Sequence, residues 1–266
     1  MKILCPTDFS EHSAIALEYA MNLAKSLDSE LHILSVFQVP KSSTSFVSME
    51  EVIRRNHEED MQKLISGLGA LVDKENLPVT RVAKGGTVST ILRYADQKQI
   101  DLIVMGTQGG NSLRTILFGS TTKKLAGKSP IPILAIPETV RYRLTSNRIV
   151  LALDNKALDN EHTFAVPVRI AKALSLKIDV LHVGDEEDIT PFDPFVSAYL
   201  EGLMGDVALE SGQDTIAVIK HYVESNDVGM LMMIRRDKSF LQRILTVGNT
   251  DAELAKTNVP LMILPE

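Results

Sequence analysis

The chain has 266 residues, enough for one large domain or two of ordinary size, and its 44% hydrophobic and 23% charged content is that of a folded globular protein rather than a disordered one. A formal net charge of -6 with no Lys/Arg block argues against nucleic acid as a partner, and no apolar run reaches the ~20 residues that cross a membrane. The single cysteine, Cys5, permits no internal disulfide, and the N-terminus enters a strand-like run without the apolar core of a signal peptide; both predict a cytoplasmic protein.

In chain order, Ile3-Leu-Cys5 is a short apolar run stopped by Pro6-Thr7-Asp8, which reads as a buried strand and a turn. From Ser10, a candidate N-cap, Ala14, Leu17, Ala20, Met21, Ala24 and Leu27 recur at helical spacing. Leu31 to Phe37 predicts the next strand. After the Ser/Thr-rich loop Lys41 to Ser45, Ser48-Met-Glu-Glu51 has the form of a capping box and predicts a helix from there to about Lys74. Val79 to Ala83 reads as strand, Gly85-Gly86 as turn and Thr87 to Gln97 as helix. Leu102 to Met105 is a strand, Ser120 to Lys128 a helix, and Ile133 to Ile136, between Pro132 and Pro137, the last strand. Strands and helices that alternate in this way imply a parallel sheet wrapped by helices.

Beyond Pro137 the pattern repeats. Arg148-Ile-Val-Leu-Ala-Leu-Asp154 parallels Lys2 to Asp8, and Ile178 to Val183 parallels Leu31 to Val36. Further on, an offset of about 128 aligns Thr87 with Thr215, Tyr94 with Tyr222, Met105 with Met233, Ile116-Leu117 with Ile244-Leu245, Pro132 with Pro260 and Pro137 with Pro265. Matches at constant offset mark a duplication, which makes Ile216 to Ile219 a helix like its counterpart after Thr87. The second copy is about 18 residues shorter where the first carries its capped helix. Asp185 to Asp188 and Pro191 to Pro194 occupy that region and read as a solvated loop. Pro167 falls in the expected first helix of the second copy and should kink or delay it. The organisation predicted is a first domain over 1–139, a linker over 140–147 and a second domain over 148–266.

The chemistry concentrates in Val104-Met105-Gly106-Thr107-Gln108-Gly109 and, nine residues on, Gly119-Ser120-Thr121. A glycine turn after a strand and another glycine opening a helix let a backbone approach a phosphate closely. Ser120 is either a phosphate donor or an ordinary N-cap, and the two roles are compatible. In the second copy Gly106, Gly109 and Gly119 face Ile234, Asp237 and Val247; a one-residue shift brings Gly248 opposite Gly119 but restores no turn in Arg235-Arg236-Asp237-Lys238. Glycines serving only strand-to-helix geometry should appear in both copies, so their presence in one favours a ligand there. Asp8 ends the first strand on the same edge of the sheet, where a carboxylate suits ribose hydroxyls or an adenine amine; its structural alternative is local capping of the Ser10 helix.

Other signatures are missing. No G-x-x-x-x-G-K-[ST] occurs, Lys123 and Lys124 come too late to serve one, and no G-x-G-x-x-G succeeds the first strand. The six histidines show no metal-ligand spacing, and Asp8 is the one candidate general base near the glycines.

Ile3-Leu-Cys-Pro-Thr-Asp-Phe-Ser-Glu11, together with Gly-x2-Gly-x9-Gly-Ser over 106–120 preceded by Leu-Ile-Val-Met and followed by Pro-Ile-Leu-Ala-Ile, resembles the universal stress protein family and its ATP-binding branch. The likeness covers the whole chain as a tandem pair, in full in the first copy and in outline in the second. It implies a Rossmann-like α/β fold, with a five-stranded parallel sheet in each of two tandem domains, and ATP, with or without magnesium, at the strand ends. It associates Thr7, Asp8 and Val36 with the adenosine end, and Met105, Gly106, Gln108, Gly109, Gly119, Ser120 and Thr121 with the ribose and phosphates. Gln108 replaces the histidine or arginine often found there, and could instead position a water. The second copy keeps Asp154 but not the glycines, so the site is not carried over to it. The family's dimers pair their final edge strands, here Ile133 to Ile136 and Leu261 to Leu264, which implies an intramolecular pseudo-dimer; further homo-oligomerisation is left open. Three functions are implied, in order: an ATP-occupied stress-response switch, a slow ATP hydrolase or adenylate-type enzyme at the same site, and a scaffold that binds no nucleotide.

Overall fold

A computed structural model describes residues 1–40, 46–69, 77–109, 116–117, 119–140, 142, 148–153, 161–184, 194–200, 202–212, 214–236 and 259–266; of 46–48, 108–109, 116–117, 161 and 194–195 it describes the backbone alone. The loop at 41–45, the segment at 185–193, Asp154, Asp237, Lys238, Ile244, Leu245, Val247, Gly248 and most of the expected linker lie outside these residues.

The first half runs β1 (Lys2–Thr7), α1 (Glu11–Ser26), β2 (Glu30–Phe37), α2 (Phe46–Gly67), β3 (Val79–Lys84), α3 (Thr87–Lys98), β4 (Leu102–Gly106), a small arm of β5 (Gln108–Gly109) and β6 (Ile116–Leu117), α4 (Ser120–Ala126) and β7 (Ile133–Ile136). The second runs β8 (Arg148–Leu153), a 3-10 turn (Glu161–Phe164), α5 (Ala165–Leu174), β9 (Lys177–Val183), α6 (Pro194–Tyr199), β10 (Met204–Glu210), α7 (Thr215–Ser225), β11 (Met230–Arg235) and β12 (Leu261–Pro265). The apolar runs are strands because both their faces are buried: Ile3, Leu4 and Cys5 have no exposure.

Strand order in the first half is β7-β4-β1-β2-β3, all parallel, and the second half repeats it as β12-β11-β8-β9-β10. The duplication extends to single hydrogen bonds. Ile103 N–H donates to the Pro132 carbonyl at 3.0 Å, and Leu231 N–H donates to that of Pro260 at 2.9 Å. The halves join into a ten-stranded sheet through an antiparallel pair, with Leu261 opposite Ala135, Met262 opposite Leu134 and Ile263 opposite Ile133. Each edge strand thereby covers the other's open hydrogen-bonding side. One apolar core lies under α1, α2, α5 and α6, and a second lies under α3, α4 and α7; both run through the two halves.

Several local expectations change. The capping box at Ser48 does not start α2: the helix begins at Phe46 and Ser48 is its third residue. A Ser-x-x-Glu pattern also fits a helix interior. The helix stops at Gly67 rather than near Lys74, where Gly69 takes a left-handed φ of +49°. Ser10 does cap α1, accepting from the Ser13 N–H. Pro167 does delay the second half's first helix: α5 begins at Ala165, after the 3-10 turn, and the proline sits in its first turn, where no N–H is missed. Thr215–Ser225 is the helix the repeat requires. Cys5 packs as a buried hydrophobe, its thiol pushed up to about 12 by burial.

Candidate functional site

The crevice of a doubly wound parallel sheet opens where helices leave neighbouring strands on opposite faces. Here that point lies between β1, continued by α1 under the first core, and β4, continued by α4 under the second. A cavity of about 410 Å³ opens at the ends of these strands. Thr7 and Asp8 reach it from the end of β1, Val36 from β2, and Met105 and Gly106 from β4. Gly119, Ser120 and Thr121 close it from the start of α4. The volume falls within the range of small-molecule sites.

Each wall has an internal reason for its shape. Ser10, the cap of α1, donates to Asp8 Oδ1 twice, from its N–H at 3.1 Å and its hydroxyl at 2.5 Å. Burial pushes the Asp8 carboxyl up, but these bonds outweigh it and hold the group below its ordinary value. Asp8 therefore supports the α1 cap, its structural alternative, while also facing the cavity. Thr7 is buried, its hydroxyl 3.1 Å from that of Ser13. The Thr122 hydroxyl donates to the Gly106 carbonyl at 3.2 Å and ties α4 to the end of β4.

Ser120 is not the cap of α4. Gly119 is, and it offers no side-chain bond to the first-turn amides. Gly86 caps α3 in the same bare way, and Thr87 at the start of that helix also borders the cavity. These N-terminal amides give the walls a partial positive character without a cationic side chain. Among the described lining residues Asp8 is the one carboxylate and none is Lys or Arg.

Gly106 proves to have a packing role. A Cβ there would come 2.5 Å from the His12 carbonyl in the first turn of α1. The contrast between the copies therefore has a structural cause as well as any ligand, and that glycine's presence in one copy loses its force as a sign of a ligand. Gln108 and Gly109 form β5, with Gly109 opposite Ile116. The structure does not describe their side chains, so it neither joins them to the cavity nor separates them from it.

Sequence reasoning missed His12, Ser13, Thr87, Ile91 and Thr122, which also border the cavity. Metal-ligand spacing does not single out His12; its place in the first turn after Asp8 is the usable signal. Its Nδ1 lies 3.3 Å from Glu138 Oε2, without the alignment of a hydrogen bond. No group of three or more His, Cys, Asp and Glu side chains is arranged to hold a metal among the described residues.

Residues 1–137 match the model of the universal stress protein family. The chain belongs to this family. A universal stress protein of Methanocaldococcus jannaschii is 30% identical over 141 residues, which span 51% of this chain and 81% of the relative. The universal stress protein YxiE of Bacillus subtilis is 29% identical over 51% of this chain and 97% of its own length. These relatives correspond to one half of the present chain. A crystal structure of a universal stress protein from Archaeoglobus fulgidus spans both halves, covering 98% of this chain and 97% of its own at a TM-score of 0.77 and 19% identity, which shows the fold of the tandem family member as a whole. A functionally unknown protein from Pseudomonas aeruginosa covers 99% of the chain and 92% of its own at a TM-score of 0.62 and 18% identity.

Proposed function

We propose that the chain is a stress-response protein that binds ATP in its first domain, residues 1–139, and uses occupancy of that site as a regulatory switch. One observation carries the reading: Thr7, Asp8 and Val36 on one side and Gly119, Ser120 and Thr121 on the other, chosen from sequence, border one cavity at the strand ends. Asp8 suits ribose hydroxyls or the adenine amine. Hydroxyls and first-turn amides at Gly119–Thr121 suit phosphate oxygens, and Gln108 and Gly109 are assigned to the same phosphates in this reading. The second domain, 148–266, completes the sheet, and residues 140–147 join the two. The cytoplasm is the compartment this role implies.

The test is to denature the purified full chain and identify any released adenine nucleotide by absorbance and mass, then titrate stripped protein with ATP, ADP, AMP and cyclic AMP, with and without magnesium. ATP should be released or should bind with saturation at one site. Protein that carries no nucleotide and binds none of the four overturns the reading. Turnover is the adjoining measurement: phosphate released with time, and lost in Asp8→Ala, would make the site an enzyme.

A further inference from the structure

The second half reaches into the first behind a wall of this cavity, at the far end of α4. Arg235, the last residue of β11, lies in the segment Arg235-Arg236 that replaces the first half's glycine turn. Its Nη1 donates to the Ala126 carbonyl and to the Ser129 carbonyl, both at 2.8 Å. Ala126 is the last residue of α4, and Ser129 is buried in the turn beyond it. Helix C-terminal carbonyls lack partners within the helix and carry partial negative charge. A guanidinium supplies the opposite charge and, from one nitrogen, two hydrogens in fixed directions.

Among the described residues the Arg235 contact has no mirror image at its counterpart position. The counterpart of Arg235 in the first half is Thr107, whose hydroxyl donates to the Ile136 carbonyl within its own half at 3.3 Å. Arg235 is half-buried, and burial depresses its pKa. Taking that group out of water is a cost which the two carbonyls offset. The other end of α4 is the cavity wall at Gly119, Ser120 and Thr121, held to β4 by the Thr122 hydroxyl on the Gly106 carbonyl. This short helix is thus pinned by its own half near the cavity and by the other half behind it.

We infer that Arg235 is a positioning residue for the first-half site: from the second half it fixes α4, and so sets the placement of the wall that meets the phosphate end of the ligand. The identity of that ligand rests on the nucleotide reading, while the anchoring does not. The inference gives the second half a role in a site it does not itself contain.

The test uses the nucleotide-free full chain and the variants Arg235→Met and Arg235→Lys. Hydrogen exchange of the amides at 120–126 should quicken about tenfold in Arg235→Met while exchange in α3 stays unchanged. In titrations of the same proteins, ATP should bind about tenfold more weakly to Arg235→Met and adenosine within about twofold of wild type, with Arg235→Lys between. Unchanged exchange at 120–126 overturns the inference. So does parallel weakening of ATP and adenosine with faster exchange in α3, which marks general loosening. Wild type that binds neither ligand defeats the nucleotide reading; in that case localised faster exchange still upholds the anchor, and its absence sinks it.

Discussion

The ends of β4 and β11 occupy equivalent places in the two halves, and they solve the same packing problem differently. At the first, Gly106 lies against the His12 carbonyl, because α1 begins at Glu11, a few residues after β1 ends. At the second, Ile234 is buried in the core, and among the described residues the first α-helix after β8 begins at Ala165. A glycine that admits the first turn of a helix in one copy is thus replaced by a core side chain in the other. The early start of α1 brings Ser10, His12 and Ser13 to the cavity in the first half. The early helix start and the glycine thus go together with the cavity of the first half.

Exchanging the two solutions should have the largest effect. Gly106→Ile puts a branched side chain against backbone and should destabilise the first half by about 3 kcal/mol, seen as a lower urea midpoint together with loss of ATP binding. The reverse truncation, Ile234→Ala, leaves a cavity and should cost about 3 kcal/mol without changing ATP affinity in the protein that remains folded. Equal effects of the two on binding would break the comparison.

Asp8→Ala tests the first half's carboxylate at smaller scale. ATP affinity should fall about tenfold while the urea midpoint shifts little, since the Ser10 cap survives with one support removed. Unchanged affinity would reduce Asp8 to its capping role. Its carboxyl is held below the ordinary value, so its contribution to stability is complete above about pH 4 and is lost as pH falls further, through the folded-state value. Asp8→Asn should remove that acid-side decline.

A buried pair of positions gives the mildest contrast. Lys2 pairs with Glu30 and Arg148 with Lys177, which makes His32 and Asp179 equivalent. Asp179 is buried against Arg148, its Oδ2 2.7 Å from the Arg148 Nε. His32 Nδ1 lies 2.9 Å from the Tyr94 hydroxyl and its Nε2 3.0 Å from Glu30. Burial, outweighing Glu30, pushes the His32 imidazole below its ordinary value. The unfolded chain therefore takes up the proton first. Its contribution is complete above about pH 6.5 and is lost as pH falls below that, through the folded-state value. Urea midpoints at pH 7.5 and about 5.5 should differ in wild type, and the difference should shrink in His32→Gln.

Much of this organisation is legible in the sequence. Apolar runs with both faces buried leave no choice but interior strands, and the constant offset between Thr87 and Thr215 or Pro132 and Pro260 reports a duplication that the fold reproduces in strand order and in the Ile103–Pro132 and Leu231–Pro260 hydrogen bonds. Helix ends are less legible. Ser48 sits inside α2 and Ser120 just inside α4, because serine fits a first turn as well as a cap. The site's outer members are hidden for a different reason. Thr87 and His12 lie far in sequence from the glycines and reach the cavity only through the crossing of α1 and α3 over the sheet. Arg235 is the extreme case, since a contact at a separation of 109 residues with a backbone carbonyl leaves no pattern in the side chains.

A single adenine-nucleotide site in the first half is the central claim. Its most direct measurement is the calorimetric stoichiometry of ATP on the stripped full chain, in wild type and in Ser120→Glu, which places a like charge at the phosphate end. One ATP per chain, lost in Ser120→Glu while the urea midpoint holds, is the result predicted. No binding, two equivalent ATP per chain, or a site indifferent to Ser120→Glu would contradict it.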